Sequence, residues 1–211
     1  MSANMWDEKF KDSQYFYGTF PNEYLASRSS GFSPKSSILC LGEGEGRNAV
    51  FLASKEFSVT AMDYSAKAAE KTKYLADLNL VKLKFIEIDL IENSPLAWDD
   101  QQYDIITLIW FHLPRKFRAN FFPELIKKLK PNGQIVLECY SPLQLSLKTG
   151  GPKEPDMLYE MSDLEHFTKN GMGVIHANFS HKMITEGNGH RGLSHSLQAH
   201  LKLRPISITG R

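Results

Sequence analysis

The sequence predicts an α/β fold: a mostly parallel seven-stranded sheet with helices on both faces and an antiparallel last strand. Three observations carry this. Short apolar runs alternate strictly with helix-like runs, the pattern of a parallel sheet wound on both faces. The run "YDIITLIWF" is nearly unbroken apolar, as a strand covered on both faces requires. The last two strand-like runs are separated only by residues 185–192, too short a connection for parallel neighbours, so they form a hairpin.

The elements follow in order. "SILCLG" is a short strand ending in glycine, and "RNAVFLASK" after it is helical. "FSVTAMD" is a second strand ending on Asp63. "SAKAAEKTKYLADLN" is an alanine-rich helix with Ser65 placed to cap it. "LKFIEID" is a third strand, ending on Asp89. "YDIITLIWF" is the fourth. In "LPRKFRANFFPELIKKLKPNG", Phe117, Phe121, Phe122, Leu125, Ile126 and Leu129 form a helical stripe, with Pro114 near its start and "PNG" at its end. "QIVLECYS" is the fifth strand. "MSDLEHFTKN" carries a capping box, Ser162 with Glu165. "GVIHANFSHKMI" and "SHSLQAHLKLR" are the last two strands. Alternation in the last one, with Leu197, Ala199, Leu201 and Leu203 against Ser196, Gln198, His200 and Lys202, gives it one polar face.

With 211 residues the chain is long enough for one domain with a substantial core, taken as 1–211 with a lid-like N-terminal segment over 1–30. A formal charge of +1, without basic tail or acidic block, gives no electrostatic reason to expect nucleic acid or a membrane surface as partner. The basic run "LIKKLKP" reads as the solvated end of a helix. Cys40 and Cys139 lie inside apolar strands and read as buried thiols of a reducing compartment. No run approaches the ~20 apolar residues of a membrane span, and the N-terminus lacks a signal-peptide core. A cytoplasmic location is expected.

The glycine-rich turn "GEGEG", residues 42–46, sits where an open α/β sheet binds its ligand, at the carboxyl end of the first strand. A G-x-G-x-x-G/A fingerprint can be forced onto Gly44, Gly46 and Ala49, but out of frame with the strand end. Glu43 and Glu45 argue against a diphosphate. At ~5 Å and an effective dielectric of ~20, each like-charge pair costs about 3 kcal/mol. A cationic ligand gains instead, and S-adenosylmethionine has a sulfonium, an ammonium, a ribose and an adenine but no phosphate. The competing reading turns both glutamates to water and leaves the amides to a phosphate. Asp63, 17 residues past Gly46, is placed to accept from both ribose hydroxyls, which supports any adenosine cofactor, NAD included. Asp89 and the Leu90 N–H suit an adenine edge; a turn role for Asp89 competes.

On these residues the sequence resembles the class I S-adenosylmethionine-dependent methyltransferases, and within them the branch of tellurite-resistance and thiopurine methyltransferases. The matching stretches are "LCLGEGEGRNAVFLA", "VTAMDYS", "FIEIDL", "YDIITLIWFHLP", "LKPNGQIVLE", the N-terminal "WDEKF" and "YFYGTFPNEYL", "TGGPKEPDMLY" and "GHRG". The resemblance implies a Rossmann-like sheet whose last strand is inserted between the fifth and sixth and covered on both sides. It implies S-adenosylmethionine as cofactor, held by Gly42, Glu43, Gly44, Gly46, Asn48, Asp63, Tyr64, Asp89, Leu90 and Tyr17. The family usually has an acid where Cys40 stands and cysteine or alanine where Glu43 stands, so the methionine ammonium falls to Glu43 or to backbone carbonyls.

Methyl transfer is a displacement at a carbon the cofactor has already activated, so the protein supplies alignment and exclusion of water. The expected acceptor is a small molecule, such as a thiol or a selenium or tellurium oxyanion, because no extra domain is present to grip a macromolecule. His190 and Arg191, in the loop before the last strand, are expected to point at it: Arg191 to hold an oxyanion, His190 to take a proton. A loop-stabilising pair is the competing role. His112, after the fourth strand, joins them or merely starts a helix. Tyr15, Phe16 and Tyr17 read as an aromatic lid or as ordinary packing. No metal is expected, since His176 with His181, and His195 with His200, are each five apart on strands and face opposite ways. Two other readings stay open: a non-catalytic S-adenosylmethionine-binding module and an NAD-dependent oxidoreductase.

Overall fold

The computed structural model describes residues 3–205. A seven-stranded sheet has the strand order β3-β2-β1-β4-β5-β7-β6. Its strands are β1 Ser37–Leu41, β2 Ser58–Asp63, β3 Lys84–Glu87, β4 Tyr103–Ile109, β5 Leu129–Tyr140, β6 Met172–Glu186 and β7 His190–Leu203. The β1–β2, β2–β3, β1–β4 and β4–β5 pairs are parallel, whereas β7 is antiparallel to both β5 and β6. The predicted fold class, with the last strand inserted between the fifth and sixth, is the observed one. Strand order reverses between β1 and β4, so the ligand crevice of such a sheet lies at their carboxyl ends.

The helices are α1 Ala3–Phe10, α2 Glu23–Ser29, α3 Arg47–Ser54, α4 Ala66–Leu78, α5 Arg115–Ile126, and the short α6 Gln144–Leu147 and α7 Glu165–Thr168. Ser65 caps α4 as expected, its hydroxyl accepting from Ala68 N. The period-2 alternation of the central strands builds two cores. Leu39, Leu41, Ile106, Leu108, Ile135 and Leu137 face α5 and the residues around Trp98. Ile38, Cys40, Ile105 and Val136 face the other way, with Leu25 of α2 and Leu52 of α3. Both cysteines are buried and free.

Several local expectations need correction. The apolar stripe over 113–129 stops being helical at Ile126; Leu129 and "PNG" belong to β5, with Asn132 at φ 63 making the irregularity there. Within "LIKKLKP", Lys128 is buried and pairs with Asp99 instead of facing water. The third strand ends at Glu87, short of Asp89. The capping box before α7 is Glu160 with Asp163, not Ser162 with Glu165. The β6–β7 connection shrinks to residues 187–189, because pairing continues to Glu186 and His190. The polar face of β7 is covered: Ser196 and Gln198 both donate to the buried Glu138 carboxylate (2.8 Å each), and His200 bonds Gln134 (2.6 Å). Alternation alone cannot separate a solvated polar face from one satisfied by a buried acid, and the resemblance chose correctly. Among the described residues no helix is long and apolar enough to cross a membrane.

Candidate active site

The glycine turn leaves β1 with positive φ at Gly42, Gly44 and Gly46 (60°, 63° and 91°). At Gly46 the reason is also spatial, since a Cβ there would lie 2.6 Å from the Thr72 hydroxyl. Both glutamates of the turn are committed to the chain's own N–H groups, which corrects the picture of two acids lining the ligand face. Glu43 folds back under α3, where Oε1 accepts from Asn48 N (2.9 Å) and Ala49 N (2.8 Å) and satisfies free donors of the helix start. Glu45 accepts from Phe16 N (3.1 Å) and Tyr17 N (3.2 Å) and pairs with Lys71 at 2.5 Å. Neither carboxylate turns to water, so the competing picture of a solvated pair fails too.

Burial pushes the Glu43 carboxyl up to about 7, against the lowering pull of the α3 amides and Arg47. In the unfolded chain it ionises near the ordinary 4.5. The folded state therefore binds more protons at this group between those values, and its contribution to stability falls as pH rises from about 4.5 to 7. The span corresponds to about 3 kcal/mol. We expect Glu43→Gln, whose side-chain oxygen still accepts from the α3 amides, to flatten this part of the urea-stability profile. A slope in that window unchanged by the substitution contradicts the assignment.

Asp63 lies beside the turn at the end of β2. Its Oδ2 accepts from Gly44 N (2.9 Å) and Oδ1 from Ser65 N (3.1 Å), and the carboxyl is raised by burial. Tyr64 follows it and is hydrogen-bonded to Trp6 of α1. Asp89 acts in its turn role, with Oδ1 accepting from Ile91 N (2.8 Å) and Glu92 N (3.2 Å), and Leu90 is buried in the core. Asn48 holds the N-terminal segment, its side-chain oxygen accepting from Asn22 N (2.8 Å).

That segment packs against the glycine turn and the start of α4. Asp7 accepts from Ser65 Oγ (2.6 Å) and Lys67 N (3.2 Å), and Phe10 reaches the surface of Gly44. Lys71 donates to the carbonyls of Asp12 (2.8 Å) and Gln14 (2.7 Å). The Phe16 carbonyl takes Asn188 N (2.8 Å) and Gly189 N (3.1 Å) from the β6–β7 turn. The N-terminal segment is thus tied to both the glycine turn and the hairpin.

Beneath it, beyond the end of β4, aromatic rings gather. Trp110, at φ 56, stacks on Tyr140 at 4.4 Å; His112 also stacks on Tyr140, at 5.7 Å. His190 stands edge-on to Tyr140 (5.3 Å) and against Trp110 (4.9 Å) and Tyr17 (4.5 Å). The structure therefore brings His112, His190 and Tyr17 together. Arg191 is excluded: successive strand residues face opposite ways, and Arg191 is exposed where His190 is buried. The expectation that the dipeptide acts as a unit is corrected on that ground.

The residue that organises the chamber is Glu186, which the sequence reading missed. Its carboxylate takes Arg47 Nη2 (2.7 Å), Trp110 Nε1 (2.6 Å), His190 Nδ1 (3.2 Å) and Asn22 Nδ2 (3.0 Å). Asn22 also donates to Glu138 (2.7 Å), linking two buried acids. Glu138, alone among the apolar residues of "QIVLECYS", was a visible signal of such a network. Among the described residues no three metal-ligating side chains gather.

The sheet, with its antiparallel strand inserted beside β5, has the fold of known S-adenosylmethionine-dependent methyltransferases. Residues 38–133 match the model of a methyltransferase domain, and S-adenosylmethionine is the cofactor that domain implies. Among curated proteins none matches the sequence. Many solved structures share the fold, among them the following three. One, described under the conversion of a disulfide bond into a thioacetal group during echinomycin biosynthesis, has TM-score 0.77 at 14% identity, covering 98% of this chain and 93% of its own. The N-methyltransferase NodS from Bradyrhizobium japonicum, with S-adenosylhomocysteine, has TM-score 0.69 at 11% identity, covering 95% and 97%. TehB from Haemophilus influenzae has TM-score 0.68 at 15% identity, covering 96% and 67%. These neighbours differ in the chemistry they are described by, so the shared fold does not specify an acceptor.

Proposed function

We propose that this protein transfers a methyl group from S-adenosylmethionine to a small-molecule acceptor. The observation that carries this reading is the meeting, on one sheet edge, of the glycine turn with Asp63 and a separate buried chamber of rings. The residues fit the cofactor. Asp63 offers a carboxylate for a ribose diol, and the positive-φ glycines let a ligand approach the backbone. Trp6, Phe10 and Tyr17 supply π faces around the same crevice. Bound there, the cofactor supplies the activated methyl. The chain's own part is to exclude water with the lid and to aim the acceptor from the chamber.

An acceptor of thiol or chalcogen-oxyanion type, and a place in the tellurite-resistance branch, have the likeness to TehB as their support. The charge of the chamber argues against such an acceptor, because its cations are already paired with acids. Calorimetric titration with S-adenosylmethionine and with NAD tests the cofactor. Heat with NAD and none with S-adenosylmethionine sinks the proposal. His190→Ala is expected to reduce turnover about 100-fold through lost alignment, with S-adenosylhomocysteine affinity unchanged. Turnover equal to wild type removes His190 from the site.

A further inference from the structure

The two chamber imidazoles have fixed tautomers. The Met157 carbonyl can only accept, so His112 Nδ1 carries the proton (3.1 Å) and Nε2 presents a bare lone pair. The Glu186 carboxylate likewise accepts from His190 Nδ1, leaving His190 Nε2 bare. Burial pulls His112 down to about 3 and lowers His190 as well, so both rings are neutral near pH 7. His112 Nε2 is buried and has no hydrogen-bond partner among the described residues. The Tyr140 hydroxyl, by contrast, is hydrogen-bonded to Ser194. A buried acceptor left unfilled in this way calls for a ligand donor.

Two of the cations around the chamber are already paired with acids. Arg47 is spent on Glu186 and Arg118 on Asp163, each at 2.7–2.8 Å. Lys9 lies over the Trp6 ring at 4.2 Å, with its pKa lowered by burial. Glu138 and Asp63 take hydrogen bonds from neutral groups only. A further anion is disfavoured there, and a cation faced by Trp110, Tyr140 and Tyr17 is favoured.

We propose that the acceptor is a primary amine bound as the free base, its N–H groups taken by His112 Nε2 and His190 Nε2 so that the nitrogen lone pair faces the methyl. This rests on the methyltransferase reading. In the step the nitrogen lone pair forms the new N–C bond, and the C–S bond breaks with its pair going to sulfur. The product is a secondary ammonium, which then releases one proton to water. Positive charge passes from sulfur to nitrogen without leaving the site, so the same carboxylates and ring faces stabilise reactant and product. A thiolate or oxyanion would instead have to enter as a negative charge beside Glu138 and Asp63. A thiol also brings one hydrogen for two lone pairs.

The test uses the S-adenosylhomocysteine-loaded protein and paired isosteres, primary amines with the corresponding thiols, plus tellurite. Amines are expected to bind by calorimetry and, with S-adenosylmethionine, to give N-methyl products by mass spectrometry, while thiols and tellurite do neither. His112→Phe keeps the ring stack but loses Nε2; amine binding should weaken about tenfold or more, with S-adenosylhomocysteine affinity retained. His112→Gln, which restores an acceptor, should recover part of it. Methylated thiols or tellurite with inert amines overturn the proposal. So does a wholly inert panel on loaded protein, or wild-type amine binding by His112→Phe. Failure to bind S-adenosylhomocysteine at all is a different result, and takes down the methyltransferase reading itself.

Discussion

Glu186→Ala is expected to destabilise the protein by about 3–5 kcal/mol. The cause is the company this carboxylate keeps. Arg47 and Glu186 form a 2.7 Å ion pair with side chains only 6% and 9% exposed. Three more donors, from Asn22, Trp110 and His190, end on the same group. Removing it leaves a buried guanidinium without its counter-charge and several donors without an acceptor. Burial alone would raise this carboxyl, but the His190 hydrogen bond and the Arg47 charge outweigh burial and hold it at about 2. The stability it contributes is therefore complete above its unfolded value near 4.5 and is lost as pH falls towards 2. Glu43 has the opposite sign and acts above 4.5, so the windows of the two carboxyls meet at that pH. Chemical unfolding of wild type and Glu186→Ala across pH 2–7 checks both parts. If the variant unfolds within 1 kcal/mol of wild type, the network is not what holds the chamber.

The sheet was legible because its signals are local and periodic. Unbroken apolar runs gave β1 and β4, Ser65 gave the start of α4, and the short hairpin connection gave the direction of β7. The site was legible only in outline. Gly42–Gly46 and Asp63 lie at strand ends, which sequence marks directly. Where a side chain points is a tertiary matter. Glu43 and Glu45 look like ligand groups until α3 and the lid are in place and their amides claim the oxygens. Arg191 was paired with His190 because both were placed in the loop before the last strand; only when β7 is seen to start at His190 does strand alternation separate them. Glu186 escaped because the hairpin was drawn too long and placed it in a loop. Asn22, Trp110 and Tyr140 come together with it from three distant segments, and no spacing in the chain announces that meeting.

Asp63→Ala is expected to weaken S-adenosylmethionine binding at least about 30-fold, or about 2 kcal/mol, the range of hydrogen bonds to a charged group. The same carboxylate organises the empty fold, since it accepts from Gly44 N and Ser65 N and so fixes the turn and the start of α4. Loss of affinity in the alanine variant therefore mixes a missing ligand contact with a displaced turn. Asp63→Asn separates them. Its side-chain oxygen can keep one of the two amides, so unfolding stability should return most of the way. The amide nitrogen can only donate, so a diol that needs two acceptor oxygens is served half as well and affinity should recover only in part. Calorimetry on both variants, paired with thermal unfolding, reads the two quantities independently. Wild-type affinity in Asp63→Ala would place the ribose elsewhere on the sheet edge. Equal recovery of stability and affinity in Asp63→Asn would mean that Asp63 shapes the turn and touches no cofactor.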